Sequence, residues 1–315
     1  MAHRIILDVD TGTDDAVALM VAALSPDLEL LGASTAAGNC RREMCTENTL
    51  RVFDAIGVVD IGVYAGMAAP MVRPDIDRGD WSRYLDLPAA RSTKQAQHAV
   101  DWLIETLLAS DGEIILVPVG PLTNIATAIR KEPRILPKIA ELVIMGGGHD
   151  IGNVTPTAEF NIWVDPEAAR LVMQCGRPMR LLPLDATHKA LVTAQDCERL
   201  RALGTPAGIA ATACIAPRIQ NYDQSQPMKR PGAPVHDALA VCAIIDPTII
   251  QTVYINVDIE TKGELTDGRT VCDFNRRSRR APNVHVATDA DEPKFIRMLT
   301  DILGRSTECV AGSRQ

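Results

Sequence analysis

Ile5-Ile6-Leu7-Asp8-Val9-Asp10-Thr11-Gly12-Thr13-Asp14-Asp15 is the stretch that decides the fold. Ile5 to Val9 is a short apolar run of the kind buried on both faces of a parallel sheet. Thr11-Gly12-Thr13 reads as a turn and Asp14-Asp15 as a helix start. Apolar residues then continue to about Leu24, and Pro26 stops the helix. The alternation repeats outward from there. Leu28 to Ser34 reads as a second strand, Ile61 to Tyr64 as a third and Ile114 to Val119 as a fourth. Gly120-Pro121 follows, then a helix from about Leu122 to Arg130. Leu142 to Met145 is a fifth strand, running into Gly146-Gly147-Gly148. Pro166 to Gln174 is a helix with Pro in its first turn, and Arg180 to Leu182 a sixth strand. Tyr254 to Glu260 reads as a later strand and Glu292 to Leu303 as a closing helix.

This order predicts one α/β domain over residues 1–305, Rossmann-like, with a mostly parallel central sheet and helices on both faces. Residues 306–315 read as a flexible tail. Composition agrees with a globular chain. Of 315 residues, 46% are hydrophobic and 23% charged, which excludes a disordered or fibrous protein. Lys plus Arg is 32 against 40 Asp plus Glu, and aromatics are only 3%. A net charge of −8 with so few rings argues against a nucleic acid polymer as partner. The eight cysteines, at 40, 45, 175, 197, 214, 242, 272 and 309, form no CxxC and read as reduced thiols of a cytoplasmic protein. No 18-residue apolar run exists, and the apolar run at Ile5 is too short for a signal peptide, so no membrane partner is expected.

The chemistry starts where the first strand ends. Asp8, Asp10, Asp14 and Asp15 place four carboxylates within eight residues. A helix N-terminus favours acids, so capping accounts for one or two of them. It does not account for Asp10 at the end of an apolar strand. Carboxylates this close repel unless a cation neutralises them, and all-oxygen ligands select Ca²⁺ or Mg²⁺. Farther on, Val235-His236-Asp237 opens an apolar helical run, and Val119-Gly120-Pro121 follows a strand and can aim a backbone carbonyl at a cation.

Together these pieces resemble the nucleoside hydrolase family, the inosine–uridine-preferring N-ribohydrolases. The carriers are Asp8-Val9-Asp10-Thr11-Gly12-Thr13-Asp14-Asp15, Gly38-Asn39, Val117 to Asn124, Met145-Gly146-Gly147-Gly148, Gly152-Asn153, Ala158-Glu159-Phe160-Asn161, Val164 to Ala169 and Val235-His236-Asp237. Each motif alone is weak; the ordered set, from about residue 4 to 300, is specific. The resemblance implies Ca²⁺, with Mg²⁺ second, held by Asp10, Asp15, Asp237 and the Val119 carbonyl, with two ribose hydroxyls and a water completing the shell. It implies ribose contacts from Asp14, Asn39, Asn153, Glu159 and Asn161, with Met145 packed on the sugar. Only Asp, Glu and Asn meet three hydroxyls so compactly. It implies calcium-dependent hydrolysis of the ribonucleoside N-glycosidic bond by a homodimer or homotetramer.

On this reading Asp10 is the general base for the attacking water, and His236 is the candidate acid for the leaving base. His98, His149, His188 and His285 match no catalytic slot. One stretch departs from the family. Many relatives carry His-Gly after the third strand, whereas residues 73–84 hold no histidine. Trp81 there either stacks on a nucleobase or anchors a lid, and Tyr222 is a second candidate for the base side. Two other readings compete. A haloacid-dehalogenase-type, Mg²⁺-dependent phosphatase also begins with Asp-x-Asp, but Thr11-Gly12 reverses its Gly-Thr order and its late acidic motif is missing. A non-catalytic nucleoside- or sugar-binding protein would use the metal only as structure.

Overall fold

The first apolar run forms a strand because its side chains alternate between two cores. Ile5, Leu7 and Val9 enter one apolar cluster and Ile6 the other. A strand buried on both faces has no room for the polar alternation of an open sheet. The structure, a computed structural model, describes residues 2–77, 83–225, 228 and 230–305. Trp81 and residues 306–315, both named above, lie outside the described residues.

The chain runs β1 (His3–Val9), α1 (Thr13–Leu24), β2 (Leu28–Thr35), α2 (Arg42–Ala55), β3 (Val63–Ala65), α3 (Ala99–Ala109) and β4 (Ile114–Pro118). Then come α4 (Thr123–Lys131), β5 (Ile139–Met145), α5 (Phe160–Val164), α6 (Pro166–Met173), β6 (Met179–Leu182), α7 (Leu184–Thr187) and β7 (Leu191–Val192). They are followed by α8 (Ala194–Ala202), α9 (Pro206–Ser225), β8 (Ala233–Pro234), α10 (His236–Ile245), β9 (Ile250–Ile255), β10 (Val257–Ile259), β11 (Thr270–Cys272), β12 (Val284–Ala290) and α11 (Glu292–Leu303).

The central sheet has eight strands in the order β3-β2-β1-β4-β5-β6-β12-β9. Seven run parallel; β9, at one edge, pairs antiparallel with β12. The expected mostly parallel α/β sheet is therefore what forms. Helix α1 packs with α9 and α10 over one face, and α3, α4 and α6 cover the other. Strand order reverses between β1 and β4, so a crevice opens beyond their carboxyl ends.

Two strand assignments need correction. The third strand pairs with β2 only from Val63, through Ala65, while Ile61 stays partly exposed. The expected strand Tyr254–Glu260 is two strands in different sheets, β9 and β10, broken at Asn256. There the Asn256 amide donates to the Ala281 carbonyl, and Asn283 Oδ1 accepts the Val257 N–H, drawing the chain out of the main sheet. Among the described residues no helix is long and apolar enough to cross a membrane.

Candidate functional site

Four strand ends supply the crevice. Asp10 follows β1, Asn39 lies beyond β2, Val119 follows β4 and Met145 ends β5. Asp10 is wedged between two glycines. A Cβ on Gly38 would lie 2.0 Å from Asp10 Oδ2, and one on Gly120 would lie 2.6 Å from Oδ1. Only hydrogen leaves space for the carboxylate. Its Oδ2 accepts the Asn39 N–H at 2.6 Å, while its Oδ1 is buried with no partner. Two residues back, Asp8 Oδ1 accepts from Ser34 Oγ at 2.6 Å and Asn124 Nδ2 at 2.7 Å.

Helix α1 begins with Gly12 as its N-cap, and Asp15 closes the box by accepting the Gly12 N–H at 2.9 Å. Its other oxygen accepts the Asp10 N–H at 3.1 Å. Capping thus explains how Asp15 is held. It leaves unexplained why Asp14, Asp15 and Asp237, the last on the first turn of α10, bring carboxylate oxygens within 4.8 Å of one another. The sequence expected Asp10 with Asp15 and Asp237; the mutually close trio contains Asp14 instead. Asp14, however, is already occupied. Arg218 grips both its oxygens, Nη1 to Oδ1 at 3.0 Å and Nη2 to Oδ2 at 2.9 Å. Two buried carboxylate oxygens of the β1 end have no partner, Asp10 Oδ1 and Asp8 Oδ2.

Burial is the main force on these acids. Together with the negative charges of its neighbours it pushes Asp10 and Asp237 well above the carboxylate range, and Asp15 up to about 7. Buried like charges must take protons or a cation. An orphaned buried carboxylate oxygen beside a set of hard oxygen donors fits a divalent ion such as Ca²⁺. The Val119 carbonyl, which accepts Asn161 Nδ2 at 2.8 Å, faces the same cavity and keeps a second lone pair.

That cavity holds about 170 Å³. Its wall includes Asp14, Asn39, Val119, Met145 and Asp237, together with Asn153, Glu159 and Asn161. Every sugar contact expected from the sequence therefore borders one space. Glu159 caps α5 and accepts the Gly147 N–H at 2.8 Å and the Ile162 N–H at 3.2 Å, and burial pushes it up to about 7. Gly147 presents its N–H from φ +78°, a conformation that favours glycine. Asn153 Oδ1 accepts the Phe160 N–H at 2.9 Å.

His236 and Tyr222 line the same cavity. His236 Nε2 lies 2.8 Å from the Tyr222 hydroxyl, and Nδ1 lies 2.6 Å from Thr187 Oγ1. Burial, then the nearby Arg218 charge, hold this imidazole well below its usual range, so it is neutral. His188, assigned no slot above, sits with its ring 5.5 Å from that of His236, and burial lowers it to about 4. Arg218 and Thr187 escaped the sequence reading. An arginine inside the apolar run Ile215-Ala216-Pro217-Arg218-Ile219 was the signal for the first; nothing marked the second.

A carboxylate cluster that could hold a cation, at the switch point of a doubly wound sheet and opening on a small polar cavity, is where an α/β enzyme of this topology places its site. The model of the inosine-uridine preferring nucleoside hydrolase family matches residues 5–297, and the chain belongs to that family. It is a hydrolase of nucleoside N-glycosidic bonds. A pyrimidine-specific ribonucleoside hydrolase, RihB, of Escherichia coli is 40% identical over 98% of this chain and 97% of that protein. Among solved structures, a purine-preferring ribonucleoside hydrolase from Gardnerella vaginalis superposes with a TM-score of 0.88 at 31% identity, covering 96% of this chain and 98% of that one. The plant nucleoside hydrolase PpNRh1 gives 0.87 at 27%, covering 96% and 99%.

Proposed function

We propose that the chain performs Ca²⁺-dependent hydrolysis of ribonucleosides to ribose and free base. The observation that carries this reading is the buried, unpartnered Asp10 Oδ1, on a carboxylate that accepts the N–H of Asn39, a residue of the cavity wall that also holds Asp14, Glu159 and Asp237. Asp10, Asp15, Asp237 and the Val119 carbonyl would hold the ion, as the ligand chemistry of a hard cation requires. When bound, such an ion supplies positive charge that acidifies an attacking water and anchors sugar hydroxyls.

The protein's own groups do the rest. Asp10 Oδ1 accepts the proton of the attacking water. Asp14, Asn39, Asn153, Glu159 and Asn161 orient the ribose, and the Met145 side chain packs against it. The surrounding carboxylates favour an oxocarbenium-like sugar. A neutral His236 is a poor proton reservoir by itself. We assign delivery to Tyr222: its hydroxyl passes its proton to the departing base nitrogen, the phenolate left behind is held by the His236 Nε2–H and the nearby Arg218 charge until a solvent proton restores it, and Thr187 fixes Nδ1. Cytoplasmic location, a homodimeric or homotetrameric state and the absence of polymer or membrane partners complete the proposal. Seven free cysteines among the described residues accord with a reducing compartment.

The test is a panel of uridine, inosine and their 2′-deoxy forms assayed for free sugar, with Ca²⁺ and with chelator. Ribosides should be cleaved and chelation should abolish cleavage. Asp10→Asn should lose hydrolysis while still binding ribose. Chelator-resistant turnover, or equal loss of turnover and ribose binding in Asp10→Asn, refutes the assignment.

A further inference from the structure

Among the described residues lining the cavity, Arg218 is the one arginine or lysine. Its side chain is 16% exposed and it borders the sugar cavity. Four contacts fix it. Besides the two bonds to Asp14, Nη1 reaches Thr13 Oγ1 at 3.2 Å and Nε donates to the Pro234 carbonyl at 2.8 Å. The guanidinium also lies 5.1 Å from the centre of the Tyr222 ring. One side chain thus joins the start of α1, the strand leading to His236-Asp237, and the proton-delivering tyrosine. A planar fork with five donors can do this, whereas an ammonium on a flexible stem cannot.

The consequence concerns how the acids divide their work. Three carboxylates, Asp14, Asp15 and Asp237, lie close enough to share an ion, yet Asp14 has both oxygens committed to a guanidinium. We propose that Arg218 is a positioning residue that withholds Asp14 from the ion and holds it for a ribose hydroxyl, thereby setting the preference for ribosides over 2′-deoxyribosides. This rests on the ribonucleoside reading above. It explains why a chain with more acids than an ion needs still presents a defined sugar site. A pocket built to hydrogen-bond a hydroxyl rejects the analogue lacking it, provided the acceptor is fixed.

Arg218→Gln and Arg218→Lys test it, alone and with Asp14→Asn. Three quantities are read: the kcat/KM ratio of uridine to 2′-deoxyuridine, the calorimetric affinities for D-ribose and 2-deoxy-D-ribose, and the Ca²⁺ affinity. Both Arg218 variants should lower the ribo-to-deoxyribo ratio at least about tenfold, in turnover and in sugar binding. Lysine should fail to rescue because charge without the fork does not orient Asp14. Ca²⁺ should bind at least as tightly as in wild type, since Asp14 is released in both variants and a positive charge has also gone in Arg218→Gln. Adding Asp14→Asn should cost nothing further in the ratio. An unchanged ratio, rescue by lysine, independent effects in the double variant, or weakened Ca²⁺ binding each overturns the proposal. A wild-type protein that cleaves ribosides while these variants keep its ratio refutes only Arg218's role. A wild type that neither cleaves ribosides nor prefers ribose refutes the underlying reading as well.

Discussion

Gly38→Ala is a one-carbon probe of Asp10, the proposed general base. The new Cβ would lie 2.0 Å from Asp10 Oδ2, 2.6 Å from Cγ and 2.7 Å from Cβ, where ordinary contact begins at 3.4 Å. Relief requires the carboxylate to move by about 1.4 Å, the difference between 3.4 and 2.0 Å. On the Oδ1 side the Gly120 backbone lies close, near enough that a Cβ there would come within 2.6 Å of that oxygen. The move breaks the 2.6 Å bond from the Asn39 N–H. Displacement of a reacting group by about 1 Å costs on the order of 100-fold in rate, and overpacking a tight site costs about 1–3 kcal/mol of stability. We expect kcat/KM for uridine to fall about 100-fold. Ca²⁺ affinity should fall with it, while circular dichroism shows a folded chain. Gly204→Ala is the control. Gly204 has φ +69° with nothing within 4 Å, so alanine there strains the backbone without touching the site. It should lower the melting temperature slightly and leave kcat/KM intact. Wild-type turnover in Gly38→Ala would show that Asp10 tolerates displacement and is not the general base.

Other consequences follow from single contacts. Tyr222→Phe removes the hydroxyl 2.8 Å from His236 Nε2 and should slow uridine cleavage by about 10²–10⁴-fold, the usual worth of general acid catalysis. A 4-nitrophenyl riboside, whose leaving group needs no proton, should be spared; equal loss on both substrates removes Tyr222 from proton delivery. On the proposed site Ca²⁺ should raise the melting temperature of the wild type but not of Asp237→Asn, and an equal rise in both would exclude Asp237 as a ligand. Asn124→Ala strips a donor from Asp8 and the acceptor of the Met67 N–H. It should cost a few kcal/mol in denaturant unfolding, at about 1–3 kcal/mol per buried group left unpaired. Glu159 carries a pH signature. Its folded pKa near 7 exceeds the unfolded value near 4.5, so the native state binds the extra proton between them. The protonated native form is favoured below pH 4.5, and that stability is lost as pH rises toward 7. In thermal melts of the cation-free protein from pH 4.5 to 7.5, Glu159→Gln should flatten the decline, and an unaltered slope would show that Glu159 does not titrate there.

The sheet was legible wherever an apolar run ended in a turn signal. Ile5–Val9, Leu28–Ser34 and Ile114–Val119 gave strands within a residue or two of β1, β2 and β4, since strands buried on both sides must be apolar throughout. α2 and α3 carried no comparable punctuation. α2 buries Thr46, Asn48 and Thr49 as well as Leu50 and Phe53, so its inward face is half polar and the periodicity is blurred. β12 resisted for a similar reason, with His285, Thr288 and Asp289 inside a short strand. In the site, the motifs singled out acids and amides that the structure places along one cavity wall, since their residue types stand out at the ends of apolar strands. They could not disclose Arg218, Thr187 or the contact of Tyr222 with His236. Those partners come from α9 and α7, and only the packing of separate elements sets their distances.

The carboxylates near α1 and the one on α10 lie about two hundred residues apart in the chain. A nascent polypeptide lacks the second half of the centre until Asp237 has been added, about three quarters of the way along the 315 residues. A cation that recognises only the joined halves favours the finished molecule by mass action. On the proposed Ca²⁺ site, calcium supply and the survival of newly made enzyme are linked, and starving cells of the ion should shorten this protein's lifetime as well as silence it.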